Sequence, residues 1–181
     1  FRVIAVDHRG HGLSELIEGT PTVADLAQDV LDTLDDLGVG SFGVIGLSLG
    51  GAVAQYLAAT SDRVTKAAFM CTAAKFGEPQ GWLDRAAACR ENGTGSLSEA
   101  VIQRWFSPTW LENNPASREH FEAMVAGTPS EGYALCCEAL ARYDVRALLG
   151  DIAVPLLAVW GDHDEVTPED CVAALRAGHD L

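Results

Sequence analysis

The chain has 181 residues, enough for one domain with a sizeable hydrophobic core. Hydrophobic residues make up 48% and charged residues 21%, a balance that excludes an intrinsically disordered chain. The net charge of −14 repels a phosphate backbone, which argues against a nucleic-acid partner. No apolar run approaches about 20 residues, so no membrane span or membrane partner is expected.

The five cysteines favour a reducing compartment, and we predict a cytoplasmic protein. Their number is odd and their spacing fits no metal site, so buried thiols are expected rather than disulfides. They are Cys71, Cys89, Cys136, Cys137 and Cys171. The chain begins at Phe1 without an initiator Met and without a signal peptide, so we expect translation to begin upstream of it.

Alternating strand and helix patterns in the first part of the chain predict a parallel sheet. Apolar, β-branched runs indicate buried strands, and apolar residues at helical spacing indicate helices. Thr22 is the predicted N-cap of the first helix, with Asp25 placed for a capping box. The predicted elements, in chain order, are strand 2–6, helix 22–37, strand 41–46, helix 49–59 and strand 66–72.

The pattern of apolar and polar residues changes after these elements. Proline and glycine divide residues 77–143 into several short helices, which predicts a helical segment inserted over the sheet. The strand pattern returns at 152–160, and Pro168 begins a last predicted helix. The predicted fold is therefore α/β, with a mostly parallel central sheet and an inserted helical cap. The predicted division is core 1–76, cap 77–145 and core 146–181.

The sequence Gly46-Leu47-Ser48-Leu49-Gly50-Gly51 lies between a predicted strand and a predicted helix, which is the context of a nucleophile elbow. The tight turn requires small neighbours, here Gly46 and Gly50, and Gly51 lets the helix pack closely. Ser48 is the predicted nucleophile, and the Leu49 backbone N–H is the predicted oxyanion donor. The alternative is a glycine-rich turn that only joins strand and helix.

A second candidate site follows the late strand at Gly161-Asp162-His163-Asp164. A carboxylate at the carboxyl end of a parallel strand can fix the tautomer of a histidine, and Asp164 is the predicted acid. Asp162 and Glu165 are competing candidates, and a solvated acidic turn is the alternative. Adjacent ligands on one loop rarely converge on a metal, so no metal site is predicted.

The order of three motifs resembles the α/β-hydrolases. The motifs are Asp7-x-Arg9-Gly10-His11-Gly12, Gly46-x-Ser48-x-Gly50-Gly51 and Gly161-x-x-Asp164-x-x-Thr167-Pro168. Three further segments resemble the cap and return segment of 3-oxoadipate enol-lactonases, which open an enol-lactone in bacterial aromatic-acid catabolism by the β-ketoadipate pathway. These are Arg104-Trp105-Phe106, Glu131-Gly132-Tyr133-Ala134-Leu135-Cys136-Cys137 and Tyr143-Asp144-Val145-Arg146.

The resemblance implies a hydrolase that opens a small carboxylated lactone through an acyl-enzyme on Ser48, with no metal or organic cofactor. Arg104 and Trp105 are the candidate substrate-binding residues, since a guanidinium suits a carboxylate. The alternative for Arg104 is a surface residue whose stem covers Trp105. Other functions left open are a carboxylesterase, a carbon–carbon bond hydrolase, and a non-catalytic binding protein or inactive fragment.

The family also has features without a counterpart in this sequence. Its earlier strands supply a second oxyanion donor, and one of them lies between strand 2–6 and the nucleophile strand. Its catalytic histidine lies further beyond the acid, and this chain ends at Leu181, before a matching position. His179 falls at the end of the last predicted helix, His11 is expected to shape its loop, and His120 is expected to be exposed. We therefore expect the chain to be part of a longer protein.

Overall fold

A three-stranded parallel sheet forms the centre of the computed structural model, which describes residues 1–167 together with 171 and 175. The strands β1 (Phe42–Leu47), β2 (Val64–Met70) and β3 (Leu156–Val159) lie in the order β1-β2-β3. Both pairings are parallel, with Leu47 beside Met70 and Met70 beside Val159. The carboxyl ends of all three strands therefore meet at one edge of the sheet.

Two helices cover one face of this sheet. Helix α2 (Leu49–Thr60) packs on β1 and β2, and α1 (Val23–Asp36) packs on α2. The predicted capping box of α1 is confirmed, because Thr22 N–H donates to the Asp25 carboxylate at 2.7 Å and Asp25 N–H donates to Thr22 Oγ1 at 3.2 Å. The opposite face of the sheet is exposed in the described part of the chain, where Ile45 and Leu157 stand in register across β2.

The prediction of a strand over residues 2–6 is wrong. The segment forms no strand, and most of it is exposed, with Val3 at 83%. A strand depends on backbone hydrogen bonds to a neighbouring strand, and β1 pairs within the described sheet only with β2. Residues 2–6 have an apolar, β-branched composition, but no strand among the described residues pairs with them.

Five α-helices and a short 3₁₀ helix follow β2 along the chain over residues 79–141, and we call this segment the helical insertion. Its α-helices are α3 (Pro79–Asn92), α4 (Ser98–Trp105), α5 (Pro108–Asn113), α6 (Pro115–Ala126) and α7 (Ser130–Ala141), and the 3₁₀ helix is Thr94–Leu97. Proline begins α3, α5 and α6, as is favoured at the first helical position. The predicted succession of short helices is confirmed, and the division into core and cap domains stays a prediction.

Within the helical insertion, α3 pairs with α7, and α4 and α5 pack on α6. Arg90 of α3 joins the first pair by donating to Glu131 at 2.8 Å and to Glu138 at 2.5 Å, both on α7. The helices α4, α5 and α6 enclose a small separate core, in which Phe106 stacks on Trp110 with ring centroids 4.3 Å apart. None of the described helices is long and apolar enough to cross a membrane.

The last strand is shorter than its predicted range of 152–160, because Pro155 has no N–H to give to the ladder. The Pro155 carbonyl still accepts from Ala67 N–H at 3.0 Å, so pairing begins there with an acceptor alone. Residues Arg146–Asp151 form a second 3₁₀ helix before it. The predicted helix that begins at Pro168 lies outside the described residues.

Candidate active site

Ser48 lies in the one-residue turn between β1 and α2, and its backbone there is strained. Its φ of 53° and ψ of −113° are unfavourable for a residue with a side chain. The Ser48 N–H donates to the Met70 carbonyl of the neighbouring strand at 2.9 Å, and the Ser48 carbonyl accepts from Ala52 N–H at 3.0 Å. Ser48 is exposed at the carboxyl edge of the sheet, and this is the geometry of a nucleophile elbow.

Two of the three elbow glycines are required by close packing. A Cβ on Gly46 would overlap the Gly50 carbonyl, and a Cβ on Gly51 would lie 2.5 Å from Thr72 Cβ. A Cβ on Gly50 would meet nothing within 4 Å in the part of the chain that the structure describes. The sequence indicated crowding at both Gly46 and Gly50. The structure has no room for a Cβ at Gly46 and at Gly51, whereas Gly50 has room for one.

This packing predicts different outcomes for two neighbouring alanine substitutions. Gly51→Ala is expected to lower the free energy of unfolding by about 1–3 kcal/mol, because the new methyl group must displace Thr72. Gly50→Ala is the matched control, and alanine's helix propensity should leave stability unchanged or raise it by up to about 1 kcal/mol. Chemical denaturation of both variants measures the difference, and equal stabilities would contradict the close approach at Gly51.

The Leu49 N–H is free to bind a ligand oxygen. It belongs to the first turn of α2, where amides have no partner within the helix, and no described residue accepts from it. The positive end of the helix dipole adds to its attraction for negative charge. An oxyanion formed at the Ser48 side chain would meet this donor.

Asp164 lies in the turn after β3, and its carboxylate is held by several donors. Oδ1 accepts from Val166 N–H at 2.9 Å and Thr167 N–H at 2.8 Å, and Oδ2 accepts from Thr167 Oγ1 at 2.5 Å. Partial burial alone would raise the pKa of the Asp164 carboxyl. The hydrogen bonds from Thr167, Val166 and the Cys71 thiol outweigh burial and hold this pKa below its usual value.

The surroundings of Asp164 set it apart from the other carboxylates of the same turn. Asp162 and Glu165 are exposed, whereas Asp164 is half-buried and hydrogen-bonded. The Cys71 thiol faces it, and burial together with the Asp164 charge raises the pKa of that thiol. Asp164 is therefore the carboxylate of this turn that is fixed in one orientation.

Ser48 and Asp164 lie at the same edge of the sheet, on either side of β2. Ser48 binds the Met70 carbonyl at the end of β2, the next residue, Cys71, donates its N–H to Val159 at 2.8 Å, and its thiol faces Asp164. Two strand spacings separate β1 from β3, which is about 10 Å. The arrangement leaves the end of β2 as the floor between the two side chains.

The loop of residues 7–12 packs on α1 and α7. Arg9 forms a bidentate ion pair with Asp29 of α1, at 2.6 and 2.7 Å. Gly10, with φ of 74°, crosses Gly132 of α7 so closely that neither position has room for a Cβ. The predicted role of His11 in shaping this loop is supported by the contact of its Nδ1 with the Arg9 carbonyl at 3.3 Å.

None of the histidines in the part of the chain that the structure describes is hydrogen-bonded to Ser48 or Asp164. His8 has a buried Nδ1 with no partner among the described residues, and burial lowers its pKa. His120 is exposed, as predicted, and contacts Phe121 edge-on, and His163 is also exposed. His179 lies outside the described residues. The described residues therefore include the predicted Ser48 and Asp164 but no histidine that joins them.

Arg104 and Trp105 lie at the end of α4 in the helical insertion. Both are exposed, Trp105 at 54%, and neither forms a hydrogen bond or ion pair with Ser48 or Asp164. Two other arginines of the helical insertion bind carboxylates, Arg90 those of Glu131 and Glu138 and Arg118 that of Glu122. The guanidinium of Arg104 has no such partner among the described residues, and its substrate-binding role stays a prediction.

Sequence reasoning missed two buried polar residues beneath the elbow. Gln55 on α2 is fully buried and Thr72 after β2 is 2% exposed, and they hydrogen-bond to each other at 3.3 Å. The available signal was one amide side chain in the otherwise small and apolar first half of α2.

A cavity of about 150 Å³ is bordered by Tyr56 and Arg142, and its lining includes neither Ser48 nor Asp164.

Comparison with known proteins agrees with this architecture. A family model described as the alpha/beta hydrolase fold matches residues 1–178. The 3-oxoadipate enol-lactonase 2 of Acinetobacter baylyi is 39% identical over 168 residues, which are 92% of this chain and 63% of that protein. The enol-lactonase from Burkholderia xenovorans superposes with a TM-score of 0.92 at 36% identity, covering 95% of this chain and 66% of that one.

A thermophilic esterase from Thermogutta terrifontis, solved with malate bound, superposes with a TM-score of 0.88 at 29% identity, covering 96% of this chain and 66% of that one. The chain therefore spans just under two thirds of the length of these relatives. The parallel sheet with packed helices and the match to the family model confirm the predicted fold class. The chain belongs to the alpha/beta hydrolase fold family.

Proposed function

We propose that the protein is a serine hydrolase that opens a small carboxylated lactone, with 3-oxoadipate enol-lactone as the substrate. The observation that carries the proposal is the strained, exposed Ser48 between β1 and α2, beside an unpaired Leu49 N–H. A backbone strained at one polar residue is typical of functional sites, because nothing in folding alone favours it. Asp164, which accepts three hydrogen bonds from Val166 and Thr167 within its own turn, is the proposed acid.

The proposed reaction proceeds in two steps. A histidine base takes the Ser48 proton as Oγ forms a bond to the lactone carbonyl carbon, and the resulting oxyanion accepts from Leu49 N–H. The ring carbon–oxygen bond then breaks, and the leaving enolate oxygen takes the proton from the histidine to give an enol, which rearranges to a ketone. Water then adds to the acyl carbon as the same histidine takes its proton. The bond from the acyl carbon to Ser48 Oγ breaks, Oγ takes that proton back, and the product leaves with a new carboxylate. Asp164 would orient the histidine and stabilise its charged form.

The enol-lactone is favoured over neutral esters by two lines of support. The A. baylyi relative, at 39% identity, is a 3-oxoadipate enol-lactonase, and the T. terrifontis esterase was solved with malate, a small dicarboxylate, bound. A protein with a net charge of −14 needs a local cation to hold such a substrate. Arg104, without a described acceptor of its own, is the proposed cation, with Trp105 beside it.

The test compares hydrolysis of 3-oxoadipate enol-lactone and of an aryl acetate by the natural full-length protein. We expect kcat/KM to be at least about a hundredfold higher for the lactone, a difference of roughly 2.7 kcal/mol in transition-state binding. A preference for the aryl ester would instead favour the carboxylesterase alternative. Absence of turnover on both substrates from a folded protein would favour the non-catalytic binding protein.

The role of Arg104 predicts a substrate-dependent change in KM. Arg104→Ala is expected to raise KM for the lactone by about tenfold or more, because a charge-assisted hydrogen bond to the carboxylate is lost. KM for a neutral aryl acetate should change by less than about twofold. The matched control is Arg118→Ala, also in the helical insertion but paired with Glu122 at 2.7 Å. Equal effects on the two substrates would refute the carboxylate-binding role.

A further inference from the structure

Both backbone groups of Ser48 are hydrogen-bonded to the end of β2 and the residues just after it. The Ser48 N–H donates to Met70, and the Ser48 carbonyl, which already accepts from Ala52 N–H, also accepts from the Thr72 hydroxyl at 2.9 Å. Between Met70 and Thr72 stands Cys71, with φ of 43°. Ser48 and Cys71 are the non-glycine residues with positive φ in the part of the chain that the structure describes, and these hydrogen bonds join Ser48 to the two neighbours of Cys71.

The direction of the Thr72 hydroxyl is fixed by its other partner. The Gln55 side-chain nitrogen donates to the Ala73 carbonyl at 3.2 Å, and a carbonyl can only accept, so it is the amide nitrogen that faces Ala73 and Thr72. The same nitrogen donates to Thr72 Oγ1 at 3.3 Å. Because Thr72 Oγ1 accepts a hydrogen bond from Gln55 and the Ser48 carbonyl can only accept, the Thr72 hydroxyl donates its hydrogen to the Ser48 carbonyl.

The contact depends on space and on burial. Gly51 has no side chain, and this lets Thr72 Cβ come close to α2, as the 2.5 Å approach of a hypothetical Gly51 Cβ demonstrates. Gln55 and Thr72 are both at least 98% buried, so water does not compete for the hydroxyl. The buried Thr72 hydroxyl is held between Gln55 and the Ser48 carbonyl. It therefore holds that strained carbonyl more rigidly than a hydroxyl in contact with water would.

We infer that Thr72 is a positioning residue, which holds the strained Ser48 turn through the Ser48 carbonyl, and that Gln55 orients the Thr72 hydroxyl for this purpose. The inference rests on the proposed role of Ser48 as nucleophile. Thr72 touches neither the substrate nor the reacting atoms. It acts through the backbone, by keeping Oγ of Ser48 and the N–H of Leu49 in fixed relation to each other.

The experiment measures Ser48 reactivity in the natural full-length protein and in its Thr72→Val and Thr72→Ser variants. One readout is the rate of Ser48 phosphonylation by a fluorophosphonate, which traps an activated serine whatever the natural substrate is. The others are kcat and KM for hydrolysis, amide hydrogen exchange of residues 47–52, and the unfolding midpoint. Thr94→Val is the matched control, since Thr94 is equally buried and donates to the Thr128 carbonyl at 2.7 Å in the helical insertion.

We expect Thr72→Val to slow phosphonylation and kcat about tenfold, to change KM less than twofold, and to speed exchange within residues 47–52. Thr72→Ser, which keeps the hydroxyl, should recover at least a third of the wild-type rate. Thr94→Val should lower the unfolding midpoint without slowing phosphonylation. A Thr72→Val variant that is destabilised but phosphonylated at the wild-type rate, or a Thr72→Ser variant as slow as Thr72→Val, would overturn the inference.

The two proposals fail in different ways. If the wild-type protein is phosphonylated at Ser48 but does not hydrolyse the enol-lactone, the substrate assignment fails and the positioning role is still decided by the phosphonylation rates. If the folded wild-type protein is not phosphonylated at all, Ser48 is not an activated nucleophile and the positioning role falls with it.

Discussion

Replacing Ser48 by alanine is expected to lower kcat for lactone hydrolysis by at least about 10⁴-fold, with the protein still folded. The Ser48 hydroxyl makes no hydrogen bond to any described residue, so its removal takes away no structural contact. The backbone contacts to Met70, Ala52 and Thr72 all belong to the peptide groups and survive the change. The loss of activity should therefore appear in kcat without a matching loss in the free energy of unfolding.

A second variant separates strain from chemistry at the same position. Ser48→Gly is expected to be as inactive as Ser48→Ala but at least as stable as the wild type, because glycine adopts φ of 53° without a Cβ penalty. Ser41→Ala, an exposed serine just before β1 and at its opposite end, serves as the control and should retain full activity. Turnover by Ser48→Ala above one hundredth of the wild-type rate would exclude Ser48 as the nucleophile.

The features that the sequence predicted well are those that a few neighbouring residues determine. The capping box of α1 involves Thr22 and Asp25, three positions apart, and its geometry follows from that spacing. The elbow is equally local, since Gly46 must be small for the chain to turn at Ser48. The bounds of β1 and α2 accordingly differ from the predicted ranges by one residue.

The features that the sequence did not predict depend on residues far apart along the chain. Residues 2–6 have the composition of a strand, but a strand forms only against a neighbour, and the described sheet offers none. Thr72 and Gln55 meet across 17 positions, and nothing in either local pattern indicates that they converge beneath Ser48. Gly50 and Gly51 look equivalent in the sequence, and only the approach of Thr72 distinguishes them.

The site is open to solvent within the described residues, and this too depends on segments far away in the sequence. Ile45 and Leu157 expose apolar surface on one face of the sheet, and Ser48 lies at an edge instead of in a closed pocket within the described residues. The proposed nucleophile Ser48 and the proposed acid Asp164 nevertheless lie in turns that follow β1 and β3, at the same edge of the sheet. The proposed catalytic groups are therefore positioned by local turns, and enclosure of the substrate is a separate requirement.

Replacing Asp164 by asparagine is the second change with a large expected effect, a fall in kcat of about 10³- to 10⁴-fold. Asparagine has the shape of aspartate but cannot stabilise a charged histidine, and its amide end can bind the wrong tautomer. The matched control is Asp162→Asn, which alters an exposed carboxylate of the same turn and should change kcat less than twofold. A larger loss for Asp162→Asn than for Asp164→Asn would move the acid to Asp162.

The lowered pKa of Asp164 adds a prediction on stability for the same variant. A carboxyl whose pKa is lower in the folded than in the unfolded protein stabilises the fold above its unfolded pKa of about 3.9, and this contribution is lost as the pH falls through the folded pKa. Asp164→Asn should therefore be less stable than the wild type at neutral pH, and the difference should shrink in acid. Unfolding of both proteins by denaturant across this pH range measures it. A difference that is the same at all pH values would mean that the hydrogen bonds from Thr167 and Val166 do not favour the ionised carboxylate, and the orientation of Asp164 would then need another cause.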